Sequence, residues 1–114
     1  IQYALYYPQR KYLAGERLDF YRLAQLTFEA PDSETFEGLA LAIEAMKQGG
    51  SMPTVFNAAN EKAVALFLKE KIRFLQITEI IRRAMEEIPC RQHPDLKTIL
   101  DTEQAVYEFI ESRW

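Results

Sequence analysis

This 114-residue sequence is short of cysteine, glycine and long apolar runs, and each shortage excludes something. The one cysteine, Cys90, cannot form an internal disulfide. That suits a reducing compartment, and the cytoplasm is the expected location. Two of the four glycines, Gly49-Gly50, stand just before a helix-forming segment. Their spacing fits neither G-x-G-x-x-G nor a P-loop, so no nucleotide cradle is expected here. No apolar run approaches the roughly 20 residues of a membrane span, and no signal-peptide pattern opens the chain, so no membrane partner is expected. Lys plus Arg number 14 against 17 Asp plus Glu, a formal charge of −3. With no basic excess or stripe, nucleic acid is not an expected partner.

Metal and nucleophile chemistry is equally short of parts. Cys90-x-x-His93 offers two of the four ligands of a structural zinc site, and no other Cys or His exists to complete it. A Cys–His nucleophile pair needs a thiolate held in a cleft, which a loop after Pro89 does not suggest. These two residues are read as a loop cysteine and a surface histidine. Catalytic, cofactor-binding and metal-ligating residues are therefore expected to number none.

What is present is the material of one domain. Apolar residues make up 48% and charged residues 27%, and seven Phe, six Tyr and one Trp can fill a core. The chain opens on Ile1 rather than Met, which raises the expectation of a piece of a longer protein. Residues 1–31 hold five of the six tyrosines, punctuated by Pro8, Gly15 and Pro31. Residues 1–7 can make two helical turns before Pro8, and Asp19 can cap a short turn through Leu23. Leu26 to Glu29 alternates like a weak strand, but it has no partner strand. This region is read as an extended, aromatic-rich arm or linker. Tyr3, Tyr6 and Tyr7 lie on more than one side of its first helix. They either pack onto the following domain or form an interface with a missing domain or a second copy; the interface is favoured because the segment is so aromatic.

Residues 32–114 read as a small antiparallel four-helix bundle, making the fold class all-α. Asp32 and Ser33 offer caps to a first helix with Leu39, Ala42, Ile43 and Met46 at helical spacing, ended by Gly49-Gly50. Pro53 suits the first turn of a second helix capped by Ser51 and running to about Lys71. Its apolar stripe is Val55, Phe56, Ala59, Ala63, Leu66 and Phe67. A third helix carries Ile77, Ile80, Ile81, Ala84, Met85 and Ile88, stopped by Pro89. Asp95 is expected to cap a short helix to Leu100. Asp101, with Gln104 three residues on, is expected to cap the last helix, whose Ala105, Val106, Phe109 and Ile110 face inward. Arg82 and Arg83 are expected to pair along their own helix with Glu79 and Glu86.

The unusual stretch is Asn57-Ala58-Ala59-Asn60-Glu61. Asparagine is a poor mid-helix residue because its side chain competes for backbone hydrogen bonds. Asn57, Asn60 and Glu61 share one face. Structural bracing is the favoured role for them, with ligand binding as the alternative, and Ala58 and Ala59 predict a close helix approach.

In order along the chain stand Leu18-Asp19-Phe20, Leu26-Thr27-Phe28-Glu29-Ala30-Pro31-Asp32, Leu41-Ala42-Ile43-Glu44-Ala45, Asn57-Ala58-Ala59-Asn60-Glu61 and Ile72-Arg73-Phe74. This series resembles the carboxyl-terminal part of the 1-deoxy-D-xylulose 5-phosphate reductoisomerase family. The resemblance implies residues from the end of the catalytic domain, a linker (together residues 1–31), and a carboxyl-terminal helical domain (32–114). Members of the family use NADPH and Mg²⁺ or Mn²⁺ to rearrange and reduce 1-deoxy-D-xylulose 5-phosphate to 2-C-methyl-D-erythritol 4-phosphate, in non-mevalonate isoprenoid biosynthesis. The family's cofactor, metal and phosphate residues precede the part resembled here. The implied role is thus architectural: bracing an upstream catalytic domain of the same protein, with pairing of two copies through the arm as a further possibility. An independent helical interaction module is the alternative. Two departures bear on helix starts. Glu37-Gly38 stand where the family has Pro-Cys, and Leu75-Gln76 where it has Thr-Asp, removing a cap worth ~1 kcal/mol.

Overall fold

The computed structural model describes residues 1–114 and contains helices only. Contacts divide it into two compact units, Ile1–Ala30 and Pro31–Trp114. The first holds two short helices, α1 (Gln2–Tyr6) and α2 (Phe20–Leu23). Asp19 caps α2 as its position predicts, its Oδ1 accepting from Tyr21 N–H and Arg22 N–H. Leu26 to Glu29 form no strand, since every neighbouring element is helical and offers no edge. Neither helix buries a residue. This unit has no core of its own.

The second unit is a bundle of α3 (Gly38–Gln48), α4 (Met52–Leu68), α5 (Gln76–Glu87) and α6 (Leu96–Glu111). α4 packs against the other three. Its sequence explains that position: Val55, Ala58, Ala59 and Ala63 are buried on more than one side, and small side chains let neighbours approach closely. Ile80, Ile81, Ala84 and Met85 of α5 and Val106 and Ile110 of α6 complete the core. Full burial of each such branched side chain contributes about 1.5–3 kcal/mol. Proline ends α5 as expected, Ile88 turning to extended backbone before Pro89.

Several local expectations are corrected. Asp32 closes a turn, accepting from Glu34 N–H and Thr35 N–H, while α3 begins only at Gly38 with no side-chain cap. The inward residues of α3 are Leu41 and Ala45; Leu39, Ile43 and Met46 face outward and Ala42 is half-buried. The helix is apolar on both sides, so periodicity alone could not choose between them. α4 ends at Leu68, three residues early, where Glu70 takes a φ of 57°. Residues 96–111 form one helix, not two. Asp95 caps it through Thr98 N–H at 2.8 Å, and Asp101 lies within it, paired with Lys97. A good capping sequence inside a helix does not interrupt it when Thr102, Val106 and Ile110 keep the apolar stripe in phase. Ala105 is exposed, not inward.

The two loops at one end of the bundle are tied together. Ser51 stands at the N-cap position of α4 but does not cap it. Its buried Oγ accepts from Arg91 N–H in the α5–α6 loop, and Ser51 N–H donates to the Arg91 carbonyl. Gly49 and Gly50 both have positive φ, as a helix-ending glycine pair predicts. At the other end α5 starts with no side-chain cap, and Gln76 Oε1 accepts from Arg73 N–H at 2.8 Å in the turn that precedes the helix.

Candidate functional site

Asn57, Asn60 and Glu61 lie on the polar face of α4. Asn57 is exposed, and its Nδ2 donates to Glu61 Oε1 at 3.2 Å, four residues on along the same helix. Asn60 is half-buried. Glu61 does the bridging. Its Oε2 accepts from the Tyr107 hydroxyl of α6 at 3.2 Å, and Glu103 Oε1 lies equally close to that hydroxyl. One O–H proton thus faces two carboxylates. Burial, then the Glu103 charge and hydrogen bond, and then Glu61, push the Tyr107 phenol up to about 12. Lys62 pairs with Glu111 and lies 5.5 Å from the centre of the Tyr107 ring. That pairing holds the Glu111 carboxyl below the usual range. The result is a polar seam of Asn57, Glu61, Tyr107, Glu103, Lys62 and Glu111 across α4 and α6. Tyr107 was not singled out by sequence; its i,i+4 spacing from Glu103 was the available signal.

Across the bundle, Arg82 of α5 pairs with Glu37 ahead of α3 and not with its own helix, whereas Arg83 pairs with Glu79 at 3.1 Å as its spacing predicts. Arg113 joins the chain end to α5 through Glu87 at 2.9 Å and stacks 3.9 Å from the Phe109 ring centre.

Tyr3, Tyr6 and Tyr7 are 42%, 50% and 73% exposed. Tyr3 and Tyr7 meet edge to face at 5.7 Å, and the Arg10 guanidinium lies 4.2 Å from the Tyr3 ring centre. The structure places Tyr3 and Tyr6 on α1 and Tyr7 just past its end, and brings Asn57, Asn60 and Glu61 to one helix face.

No group of three or more His, Cys, Asp or Glu could hold a cation. Cys90 is half-buried, with its Sγ against the Gly49 carbonyl and Gln92 Nε2, both at 3.5 Å, while His93 is exposed with a φ of 51°. No helix is long and apolar enough to cross a membrane.

Comparison with known proteins gives one consistent result. The family model for the DXP reductoisomerase C-terminal domain matches residues 1–109. The 1-deoxy-D-xylulose 5-phosphate reductoisomerases of Agathobacter rectalis and Lachnospira eligens are each 57% identical over 114 residues, all of this chain and 30% of theirs. The solved structure of the reductoisomerase from Zymomonas mobilis in complex with NADPH superposes with a TM-score of 0.85 at 38% identity, over 96% of this chain and 29% of that one. The chain thus spans less than a third of the length of the relatives it matches. An all-helical chain carrying Asn57-Ala58-Ala59-Asn60-Glu61, matched over residues 1–109 by one family model, belongs to the DXP reductoisomerase C-terminal domain family.

Proposed function

We propose that this chain is the carboxyl-terminal part of an NADPH-dependent 1-deoxy-D-xylulose 5-phosphate reductoisomerase, in which it acts as brace and connector and performs no chemistry itself. The observation that carries this reading is the family match over residues 1–109 together with the small share of each relative that the chain covers. The parent enzyme forms 2-C-methyl-D-erythritol 4-phosphate for isoprenoid biosynthesis in the cytoplasm. NADPH and the divalent cation belong to its catalytic portion.

Within this reading the two units have different tasks. Residues 31–114 carry a core and supply rigidity. Residues 1–30 carry exposed aromatic side chains and no core, so Tyr3, Tyr6 and Tyr7 are contacts to the upstream catalytic domain. Glu61 serves architecture, joining α4 to α6 through Tyr107, and Asn57 takes part only through its bond to Glu61.

The test is an assay of NADPH oxidation with 1-deoxy-D-xylulose 5-phosphate. The full-length protein turns over, and deletion of residues 31–114 abolishes turnover or soluble expression. A full-length protein that is soluble, folded and inactive on this substrate overturns the reading.

A further inference from the structure

Resting on that reading, we propose that the outward face of α3, with the groove at its start, is where the bundle docks on the upstream part of the same polypeptide. Two opposite faces of α3 are apolar. Leu41 and Ala45 point into the core. Leu39, Ile43 and Met46 recur at i, i+4 and i+7 on the other side and are 47%, 40% and 68% exposed. α5 shows the contrast: polar residues fill its outer face, and its apolar residues keep to the inner one, as a helix with water outside requires. On α3 the polar residues reduce to Glu44, Lys47 and Gln48. A helix apolar on two sides is built to lie between two layers, and the bundle supplies only one of them.

The stripe continues into a groove of about 390 Å³ lined by Pro31, Phe36, Leu39, Phe74, Leu75 and Ile77. Of these, Phe36, Phe74 and Leu75 are exposed. Two facts identify the occupant. More than two thirds of each relative's length lies outside this chain, and the matching family model is that of the C-terminal domain, so the remainder precedes it. The groove also begins at Pro31, the first residue of the bundle unit. A surface tethered through the preceding 30 residues meets this groove at an effective concentration that can reach about millimolar. Its chemistry is set by the groove: a mainly apolar patch that places one bulky side chain between Phe36 and Phe74, and that carries no carboxylate toward Asp32, which also lines the groove.

Two variants test this in the full-length protein and in the 114-residue chain. Met46→Cys is labelled with a maleimide and its rate read at that peptide by mass spectrometry. Labelling is expected to be roughly tenfold or more slower in the full-length protein, where only local opening exposes the site. Ile43→Glu is expected to leave the melting of the 114-residue chain unchanged but to split the single transition of the full-length protein into two. Lys47→Glu, on the same helix, changes neither. Equal labelling rates in the two proteins, or a full-length Ile43→Glu that melts like the parent, overturns the proposal. So does protection that appears only on self-association, read by sedimentation, because the occupant is then a second copy. Protection and splitting in a full-length protein without reductoisomerase activity would keep the docking face and remove the proposed function.

Discussion

Ser51 and Arg91 hold each other by two reciprocal hydrogen bonds: Ser51 N–H donates to the Arg91 carbonyl and Arg91 N–H donates to Ser51 Oγ, each at 2.9 Å. They join the α3–α4 and α5–α6 loops, 40 residues apart in sequence. Gly50 makes the approach possible. A Cβ there would stand 2.5 Å from the Arg91 carbonyl oxygen, and its φ of +55° is itself unfavourable for any other residue. Ser51→Ala leaves Arg91 N–H without its partner and is expected to cost roughly 1–3 kcal/mol. Gly50→Ala is expected to cost more than the roughly 1–2 kcal/mol of the left-handed backbone alone, since a carbonyl must also move. Urea denaturation of the chain measures both; a Gly50→Ala midpoint equal to the parent's would show that the loops are not locked.

That clasp was not legible in the sequence. Ser51 reads as a cap because it precedes Pro53, and nothing local says that its hydroxyl turns to a loop 40 residues away. The elements that were legible are those whose signal is local and redundant. α5 is the clearest, with one apolar stripe and a terminating proline. α3 misled because its two apolar stripes satisfy the same helical period, and only packing against α4 and α5 decides which is inside. The polar seam was half legible: Asn57, Asn60 and Glu61 stand out as unusual mid-helix residues, whereas Tyr107 joins them only when α4 and α6 lie side by side.

Asp95 and Asp101 both look like helix caps, but only Asp95 acts as one. Its carboxylate accepts from Thr98, and that hydrogen bonding holds its pKa below the ordinary value. Asp95→Ala is therefore expected to lower the thermal midpoint at neutral pH, while Asp101→Ala, which loses an exposed pair with Lys97, changes it little. The sign with pH follows from the lowered pKa. The Asp95 contribution is present above the unfolded carboxyl's pKa and is lost as pH falls through the folded one. Thermal melts of parent and Asp95→Ala should converge in acid; a gap that persists below the carboxylate range would assign the loss to something other than the cap.

Gly38 occupies the first turn of α3 without needing to be glycine. A Cβ there would meet only a Thr78 methyl at 3.8 Å, ordinary van der Waals contact. Gly38→Ala is expected to stabilise the chain by about 0.4–1 kcal/mol, mainly by restricting the unfolded backbone. The readout is the denaturant midpoint at constant slope, and a lower midpoint would mean that the α3–α5 approach is tighter than this distance implies.

Asn57 reaches only Glu61 on its own helix, and it is exposed. Asn57→Ala removes one solvated hydrogen bond and a residue of poor helix propensity, so the stability change should stay within about ±0.5 kcal/mol. The same substitution in the full-length protein separates bracing of the bundle from contact with another domain. Loss of activity at unchanged stability of the 114-residue chain would place the Asn57 side chain against a partner surface. A loss of more than about 1 kcal/mol in the chain itself would instead mean that the bond to Glu61 is a structural one.

The Tyr107 phenol, pushed up to about 12, gives the seam a pH signature. Below pH 10 the phenol is neutral in both folded and unfolded chains, and its contribution is independent of pH. Between about 10 and 12 the unfolded chain ionises while the folded one keeps its proton, so stability falls as pH rises. Lys97, whose pKa is raised by Asp101, loses its contribution in the same direction, so the parent's profile alone does not isolate Tyr107. Tyr107→Phe does. It removes the hydrogen bonds to Glu61 and Glu103, lowering stability at neutral pH, and it removes this residue's part of the alkaline decline. Denaturation of parent and variant from pH 8 to 11 should show the two stabilities approaching each other above pH 10. Parallel curves across that range would mean that the hydroxyl titrates normally and that Glu61 does not bridge to α6 through it.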